Sequence, residues 1–215
     1  MVIAIDGPAG SGKSTIAKML AEKLSQKGKR EYTYINSGKL YRAITFGCIQ
    51  EKIDINNSEK VIEYAKNIDI SYQKDNVFLY GKDVTSFLHT DVIDRHTSVL
   101  SSIVPVRHIV NDIIRSLSKG RNIVVEGRDM TTVVFPDAEH RFYLDASADS
   151  RAKRRYNQGT SSLSLYEIKD AILKRDEIDM NKEEGKLYVA QDVQYLDTSD
   201  LTIIQVYEKL IEGID

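Results

Sequence analysis

The chain opens on an apolar run, Val2 to Ile5, that stops at Asp6 and passes straight into glycines. A run of this kind, with no alternation, reads as a strand buried on both faces of a sheet. Beyond Lys13 the apolar spacing changes to three and four residues, at Ile16, Met19, Leu20 and Leu24, and it ends near Gly28. That spacing predicts an amphipathic helix closed by a glycine. Strand then helix begins a βαβ unit, and Tyr32–Ile35, Ile123–Val125 and Arg141–Leu144 supply further short strands, each leading toward polar or glycine-containing sequence. The pattern therefore predicts an α/β fold with a central parallel sheet.

The stretch from about Ile53 to Ile93 breaks this rhythm. Ile68–Tyr72 and Val77–Tyr80 read as strands joined by Lys74-Asp75-Asn76, and Gly81-Lys82-Asp83 reads as another turn, so a small antiparallel insertion is expected. Thr97–Ser118 returns to helix, with Pro105 opening its second part. Later, Ser150–Tyr156 forms a basic helix, Gly159–Ser164 is flexible in composition, and Leu165–Asp179 forms a longer charged helix. Residues 148–182 are accordingly expected to act as a mobile helical lid. Val193–Leu196 and Ile203–Ile211 supply a last strand and a closing helix.

Composition narrows the function. At 215 residues one hydrophobic core suffices, so a single domain is expected, with one inserted lobe at about 53–93. Thirty basic against thirty-two acidic residues leave a net charge of -2 and remove the overall positive field that non-specific nucleic-acid binding relies on. No apolar stretch reaches the ~20 residues of a membrane span, and the single cysteine, Cys48, sits among apolar residues and fits a reducing compartment. A cytoplasmic monomer acting on small molecules, with neither nucleic acid nor membrane as partner, is expected. The four histidines show no metal-ligand spacing, and the twelve tyrosines are scattered.

Phosphate chemistry must then use local clusters, and one stands at the first strand-to-helix turn. Gly7-Pro8-Ala9-Gly10-Ser11-Gly12-Lys13-Ser14 satisfies G-x-x-x-x-G-K-[ST] in the strand–helix context that the motif requires. Ordinary residue frequencies give the pattern about once in a hundred chains of this length. Glycines let backbone N–H groups converge on phosphate oxygens, and the helix N-terminus adds a favourable dipole. Lys13 suits the β- and γ-phosphates of ATP, and the Ser14 hydroxyl suits Mg²⁺, with Thr15 completing the donor-binding segment. The guanine-reading Asn-Lys-x-Asp element of switch GTPases has as its nearest string Asn181-Lys182-Glu183-Glu184, which ends in the wrong acid.

Two further clusters favour an anionic acceptor. Asn36-Ser37-Gly38-Lys39-Leu40-Tyr41-Arg42 follows the second strand, and Glu126-Gly127-Arg128-Asp129 follows the third. Both should reach the sheet's carboxyl edge, where ligands bind in open α/β sheets. The planar fork of arginine binds phosphate through paired hydrogen bonds and keeps its charge.

With these strings in place the chain resembles the bacterial cytidylate (CMP) kinases over essentially its whole length. The resemblance rests on Ile5-Asp6-Gly7-Pro8 before the phosphate loop, Ser37-Gly38 with Tyr41-Arg42, Gly127-Arg128-Asp129-Met130 with Thr132-Val133-Val134-Phe135-Pro136-Asp137-Ala138, and Arg175-Asp176 with Asp179. It implies a three-layer P-loop NTPase fold with a small monophosphate-binding lobe and a lid, and ATP- and Mg²⁺-dependent transfer of the γ-phosphoryl group to CMP or dCMP. It further implies that Arg42 and Arg128 hold the acceptor's phosphate, that Ser98, Arg107 and Asp129 contact cytosine, and that Arg175 and Asp179 reach the sugar and phosphate from the lid. Lys13, Arg128 and Arg175 then carry catalysis, Ser37 and Tyr41 complete the acceptor set, and Arg154 joins the donor set. Arg151, Arg154 and Arg155 match a helix with lid and ATP contacts, although a solvated helical face accounts for at least two of them equally well. Glu126 is expected to orient waters on the magnesium or only to accept local hydrogen bonds.

Three departures stand out. The family usually carries Asp where this chain has Asn36, Gly where it has Thr131, and Arg followed by a Pro-Leu pair where it has Lys182 and Lys186-Leu187. Two other readings stay open from the residues: a kinase for UMP, AMP or shikimate on the same scaffold, and a binding module that hydrolyses ATP slowly as a timer.

Overall fold

A computed structural model describes residues 1–28, 30–73, 75–159 and 161–214. Lys74, expected in a hairpin turn, and Thr160, expected in the flexible stretch, lie outside the described residues. In chain order the elements are β1 (Val2–Asp6), α1 (Lys13–Lys27), β2 (Tyr32–Asn36), α2 (Ser37–Gln50), α3 (Ser58–Lys66), β3 (Ile70–Gln73), β4 (Asn76–Leu79) and β5 (Lys82–Asp83). They continue with α4 (Asp91–Leu100), α5 (Val104–Ser118), β6 (Asn122–Gly127), β7 (His140–Asp145), α6 (Ala148–Asn157), α7 (Leu165–Asn181), β8 (Gln194–Asp197) and α8 (Ile203–Glu212). The contacts divide them into a larger unit, Met1–Ile35 with Gly120–Asp215, and a smaller unit, Asn36–Lys119.

The larger unit is built on a five-stranded parallel sheet in the order β2-β6-β1-β7-β8. The central strand is apolar throughout because it is covered on both sides: Ile3, Ala4 and Ile5 are all fully buried. Ile3, Ile5, Val124, Phe142 and Leu144 share one cluster with Ile16, Leu20, Val206 and Leu210, so α1 and α8 cover one face of the sheet. Register aligns the strand ends: Asp6 stands opposite Gly127 on β6 and Tyr143 on β7. The loops after β1, β6 and β7 therefore leave the sheet at one edge, which is where the glycine-rich turn and the Gly127-Arg128-Asp129 string lie. On α6 and α7, Ala152, Ile168 and Ile172 form their own apolar cluster, which joins the two helices of the segment expected to be a lid.

The smaller unit carries a three-stranded antiparallel sheet in the order β3-β4-β5. The sequence reading needs two corrections here. Lys82 and Asp83, read as a turn, pair with Leu79 and Phe78 as a short edge strand, because the reversal is made one step earlier, where Tyr80 and Gly81 both take positive φ. The segment 53–93 is also not simply an antiparallel insertion, since α3 occupies its first part. Its signal is Val61 and Ala65, four residues apart and buried, behind an Asn57 cap whose side chain accepts from the Lys60 amide. Pro105 lies in the first turn of α5, where its missing N–H is harmless, and Cys48 is fully buried.

Candidate active site

The turn between β1 and α1 is shaped by its glycines. Gly7, Gly10 and Gly12 have φ of +147°, +81° and +96°, a region that side chains rarely enter, and a Cβ on Gly7 would lie 2.0 Å from the Leu144 carbonyl oxygen. Lys13 is only 5% exposed and donates from Nζ to Pro8 O at 2.6 Å and Ser11 Oγ at 3.3 Å, folding over the turn. Burial, with help from the neighbouring Arg128 and Arg175 charges and against the pull of Glu126 and Asp6, brings its pKa down to about 7. Ser14 Oγ donates to Glu126 Oε1 at 2.5 Å, and Tyr34 OH donates to the same oxygen at 3.0 Å. Thr15 follows as an exposed residue of α1.

Arginines from α6 brace the outer side of the turn. Arg151 is buried and donates from Nε to Ala146 O at 2.8 Å and from Nη1 to Ala9 O at 3.1 Å and Asp176 Oδ2 at 2.6 Å. Arg154 donates to Ser11 O at 3.4 Å and Thr198 Oγ1 at 3.0 Å, and Thr198 Oγ1 in turn donates to Ser11 O at 3.1 Å. The solvated-face reading of this helix is thereby corrected for two of its three arginines. Charge-run reasoning weighs composition, whereas here two cations three residues apart, Arg151 and Arg154, turn inward to carbonyls of the glycine-rich turn.

The loop after β6 carries a second charged cluster. Arg128 donates from Nε to Asp179 Oδ2 at 2.7 Å, and Lys182 Nζ donates to Asp179 Oδ1 at 2.6 Å. Burial works to raise the Asp179 pKa, but Arg128, Lys182 and Arg175 outweigh it and hold the carboxyl well below its ordinary range. Asp129 is 2% exposed, and its carbonyl accepts from the Val133 and Val134 amides. The loop itself is anchored by Asp6, whose carboxylate accepts from Met130 N (2.9 Å), Thr131 N (2.7 Å) and Thr131 Oγ1 (2.6 Å). Burial, only partly offset by those donors, raises the Asp6 pKa to about 6. Thr131, a departure from the family pattern, thus supplies one of the three donors to a fully buried carboxylate.

The remaining expected residues belong to the smaller unit. Asn36 caps α2 by accepting from the Lys39 amide at 3.1 Å, and Ser37 starts the helix. Arg42 lies on its second turn and donates from Nε to Asp94 Oδ1 at 2.9 Å; a Cβ on Gly38 would come within 2.8 Å of Arg42 Nη1, so glycine there makes room for the guanidinium. Arg107 is 2% exposed, donates to Ser101 O at 2.9 Å and stacks its guanidinium 5.8 Å from the centre of the Tyr41 ring. Ser98 Oγ donates to Asp94 O at 3.4 Å. Lys39 forms an ion pair with Asp75, to which Tyr72 OH also donates at 3.3 Å.

Comparison with known proteins decides the family. The sequence model of the family described as cytidylate kinase matches residues 3–215. A cytidylate kinase of Caldanaerobacter subterraneus subsp. tengcongensis is 41% identical over 216 residues, covering 99% of this chain and 93% of that protein, and one of Borrelia hermsii is 43% identical over 219 residues, covering 99% and 97%. The chain belongs to the cytidylate kinase family. It is a phosphotransferase of that family. A shikimate kinase from Bacteroides thetaiotaomicron, 12% identical with a TM-score of 0.54 over 100% of this chain and 98% of that one, shares the fold.

Several residues that hold the expected set were given no role of their own in the sequence reading. Asp6, Tyr34, Asp94, Asp176 and Thr198 all grip a residue of the expected set or its backbone. Only Asp6 had a local signal, an acid ending an apolar strand. Asp176 stands in the Arg175-Asp176 string without a role of its own, and Tyr34, Asp94 and Thr198 look like ordinary polar positions until the fold brings them to their partners. Among the described residues no group of His, Cys, Asp and Glu is arranged to hold a metal ion by itself, and no helix is long and apolar enough to cross a membrane.

Proposed function

We propose that the chain transfers the γ-phosphoryl group of ATP to CMP and dCMP with Mg²⁺, by in-line attack of an acceptor phosphate oxygen. The observation that carries the phosphoryl-transfer part is the cation cluster of the larger unit: Arg128 and Arg175 stand close enough to Lys13 to depress its pKa. Three cations gathered beside a turn of convergent backbone amides suit a polyanion whose charge they neutralise as it is transferred. The cytosine part rests on the family, whose relatives bear that name, and on Ser98, Arg107 and Asp129.

In this reading Gly7 to Thr15 hold the donor phosphates, and Lys13 leaves Pro8 O to follow the β- and γ-oxygens. Arg154 keeps the turn in shape from Ser11 O. The Ser14 hydroxyl and the Glu126 carboxylate, 2.5 Å apart, would supply the hard oxygens that Mg²⁺ favours, Ser14 to hold the ion and Glu126 to orient its water. The metal, when bound, neutralises charge on the transferring oxygens. Arg42 and Ser37 at the start of α2, with Tyr41 beside Arg107, take the acceptor on the smaller unit, and Arg128 and Asp129 take it on the larger. Arg175 and Asp179 already stand beside Lys13 and Arg128, and tightening of the rest of residues 148–182 around the nucleotides excludes water from the γ-phosphate. The site is proposed to work in a monomer in the cytoplasm.

The test is ADP production with ATP and Mg²⁺ against CMP, dCMP, UMP, AMP and shikimate. Stimulation by CMP and dCMP well above the acceptor-free rate is expected. Stimulation by another acceptor alone would overturn the cytosine assignment, and acceptor-independent hydrolysis would favour the timer. Lys13→Ala should lower kcat by about a thousandfold or more, and hydrogen exchange in 148–182 should slow only when both nucleotides are present.

A further inference from the structure

Arg42 has five N–H donors, and how the guanidinium is turned decides which of them face a ligand. Its Nε is taken by Asp94 Oδ1 at 2.9 Å, from the fourth residue of α4. Its Nη1 lies against Gly38, one turn back along α2, beside the Asn36 cap: the position of a Gly38 Cβ is 2.8 Å from Nη1 and 3.1 Å from Asn36 Oδ1. The pair is mostly shielded, with the Arg42 and Asp94 side chains 12% and 19% exposed. An arginine held by Nε loses its side-on donor pair and keeps the end-on fork of Nη1 and Nη2. That fork is set at the first turn of a helix, where free amides and the dipole already favour an anion.

We propose that Asp94 is a positioning residue for the acceptor, holding Arg42 by Nε so that its terminal amino groups present an end-on fork to the acceptor's phosphate at the start of α2. The inference rests on the reading of Arg42 as a phosphate-binding residue. Asp94 touches no reacting atom in this scheme and acts only through Arg42. Without it the side chain regains rotamers and the side-on donor pair, and phosphate binding must bear the entropy of ordering them. A merely structural Asp94, placed in the first turn of α4 to oppose the helix dipole, predicts lost stability with no preference for the phosphate.

Equilibrium binding of CMP and of cytidine, which has the base and sugar without the phosphate, separates these roles in the full-length protein. Asp94→Ala should weaken CMP about tenfold, the scale of one misdirected charge-assisted interaction, and leave cytidine unchanged. Asp94→Asn, which keeps an oxygen at the same place, should recover most of the loss. Arg42→Ala/Asp94→Ala should bind CMP no more weakly than Arg42→Ala, because Asp94 has nothing left to position. The proposal is overturned if CMP binding is unchanged or tighter in both Asp94 variants, if cytidine weakens as much as CMP, or if the two substitutions add. Should Asp94→Ala fail to fold, Asp94→Ser, whose shorter side chain does not reach Arg42 Nε, and its double with Arg42→Ala carry the same comparison. A wild-type protein that binds cytidine as tightly as CMP, or whose CMP affinity survives Arg42→Ala, would instead mark failure of the functional reading beneath.

Discussion

Two arginines expected to present the acceptor are gripped in the same manner in different surroundings. In the smaller unit Arg42 gives its Nε to Asp94, and in the larger unit Arg128 gives its Nε to Asp179. The two arginines are similarly shielded, Arg42 at 12% and Arg128 at 18% exposed, but the Asp94 carboxylate is 19% exposed and keeps more of its contact with water. Asp179 is 4% exposed and is shared with Lys182, which makes it the centre of a buried three-member cluster. The same Arg–Asp geometry thus serves as a pointer in one place and as a foundation in the other, and burial decides which.

The comparison is broken most directly by removing each acid. Asp179→Ala leaves the buried Lys182 and the partly buried Arg128 without a counter-charge and should destabilise the protein by about 3 kcal/mol, read as a fall in urea midpoint. Asp94→Ala should lower stability by no more than about 1 kcal/mol. Equal losses at the two positions would mean that burial is not what distinguishes them. Replacing both partners sharpens the point: Arg128→Met with Asp179→Leu should regain part of the stability lost in Asp179→Ala, Lys182 still being buried without its carboxylate, while activity stays abolished. A double variant no more stable than Asp179→Ala would locate the loss in Lys182 or in the loop after α7.

The third prediction concerns the charge of the cation cluster. Lys13 falls from an ordinary 10.5 to about 7, so between those values the unfolded chain binds more protons than the folded one. The stability contribution of this group accordingly rises with pH from about 7 to about 10.5 and carries its full penalty below 7. A bound triphosphate supplies the missing counter-charge and restores the lysine's proton affinity. ATP binding near pH 8 should therefore take up close to one proton, measured by calorimetry in buffers of different ionisation enthalpy, and Lys13→Met should abolish the uptake. Equal proton uptake in wild type and variant would remove Lys13 from the donor site.

What was legible beforehand follows from range along the chain. The donor cradle is a backbone structure set by glycines within eight residues, so its spacing alone exposes it, and the period change from strand to helix locates it on the sheet. The residues expected to take the acceptor are held by side-chain pairs 51 and 52 residues apart, and Asp6 meets Thr131 across 125. No periodicity reports such partners. Arg151 shows the same limit from the other direction: among the cations of α6 it looks solvated, and only the carbonyls of Ala9 and Ala146 together with the Asp176 carboxylate explain its burial. The helix α3 was missed for a plainer reason, since two turns with one small and one branched apolar residue give a weak 3.6-residue signal.

The smallest effect is expected at Lys182, where the family pattern has arginine. Its side chain is 3% exposed and its ammonium donates to Asp179 Oδ1 at 2.6 Å, three residues away, while the Leu187 amide donates to Asp179 O at 2.8 Å and fixes the chain beyond. A lysine meets this carboxylate as a point charge, leaving Arg128 as the only forked donor on Asp179 among the bonds described. Lys182→Arg keeps the charge and adds a planar fork that can bridge Asp179 and an incoming phosphate, at the expense of fitting a bulkier head into a closed space. The two effects oppose each other, so stability should change by about 1 kcal/mol or less while kcat rises a few-fold with the KM for CMP little changed. Urea unfolding and steady-state kinetics on one preparation read both. A fall in kcat with unchanged stability would show that the compact ammonium itself, rather than its pairing with Asp179, is what the closed lid requires.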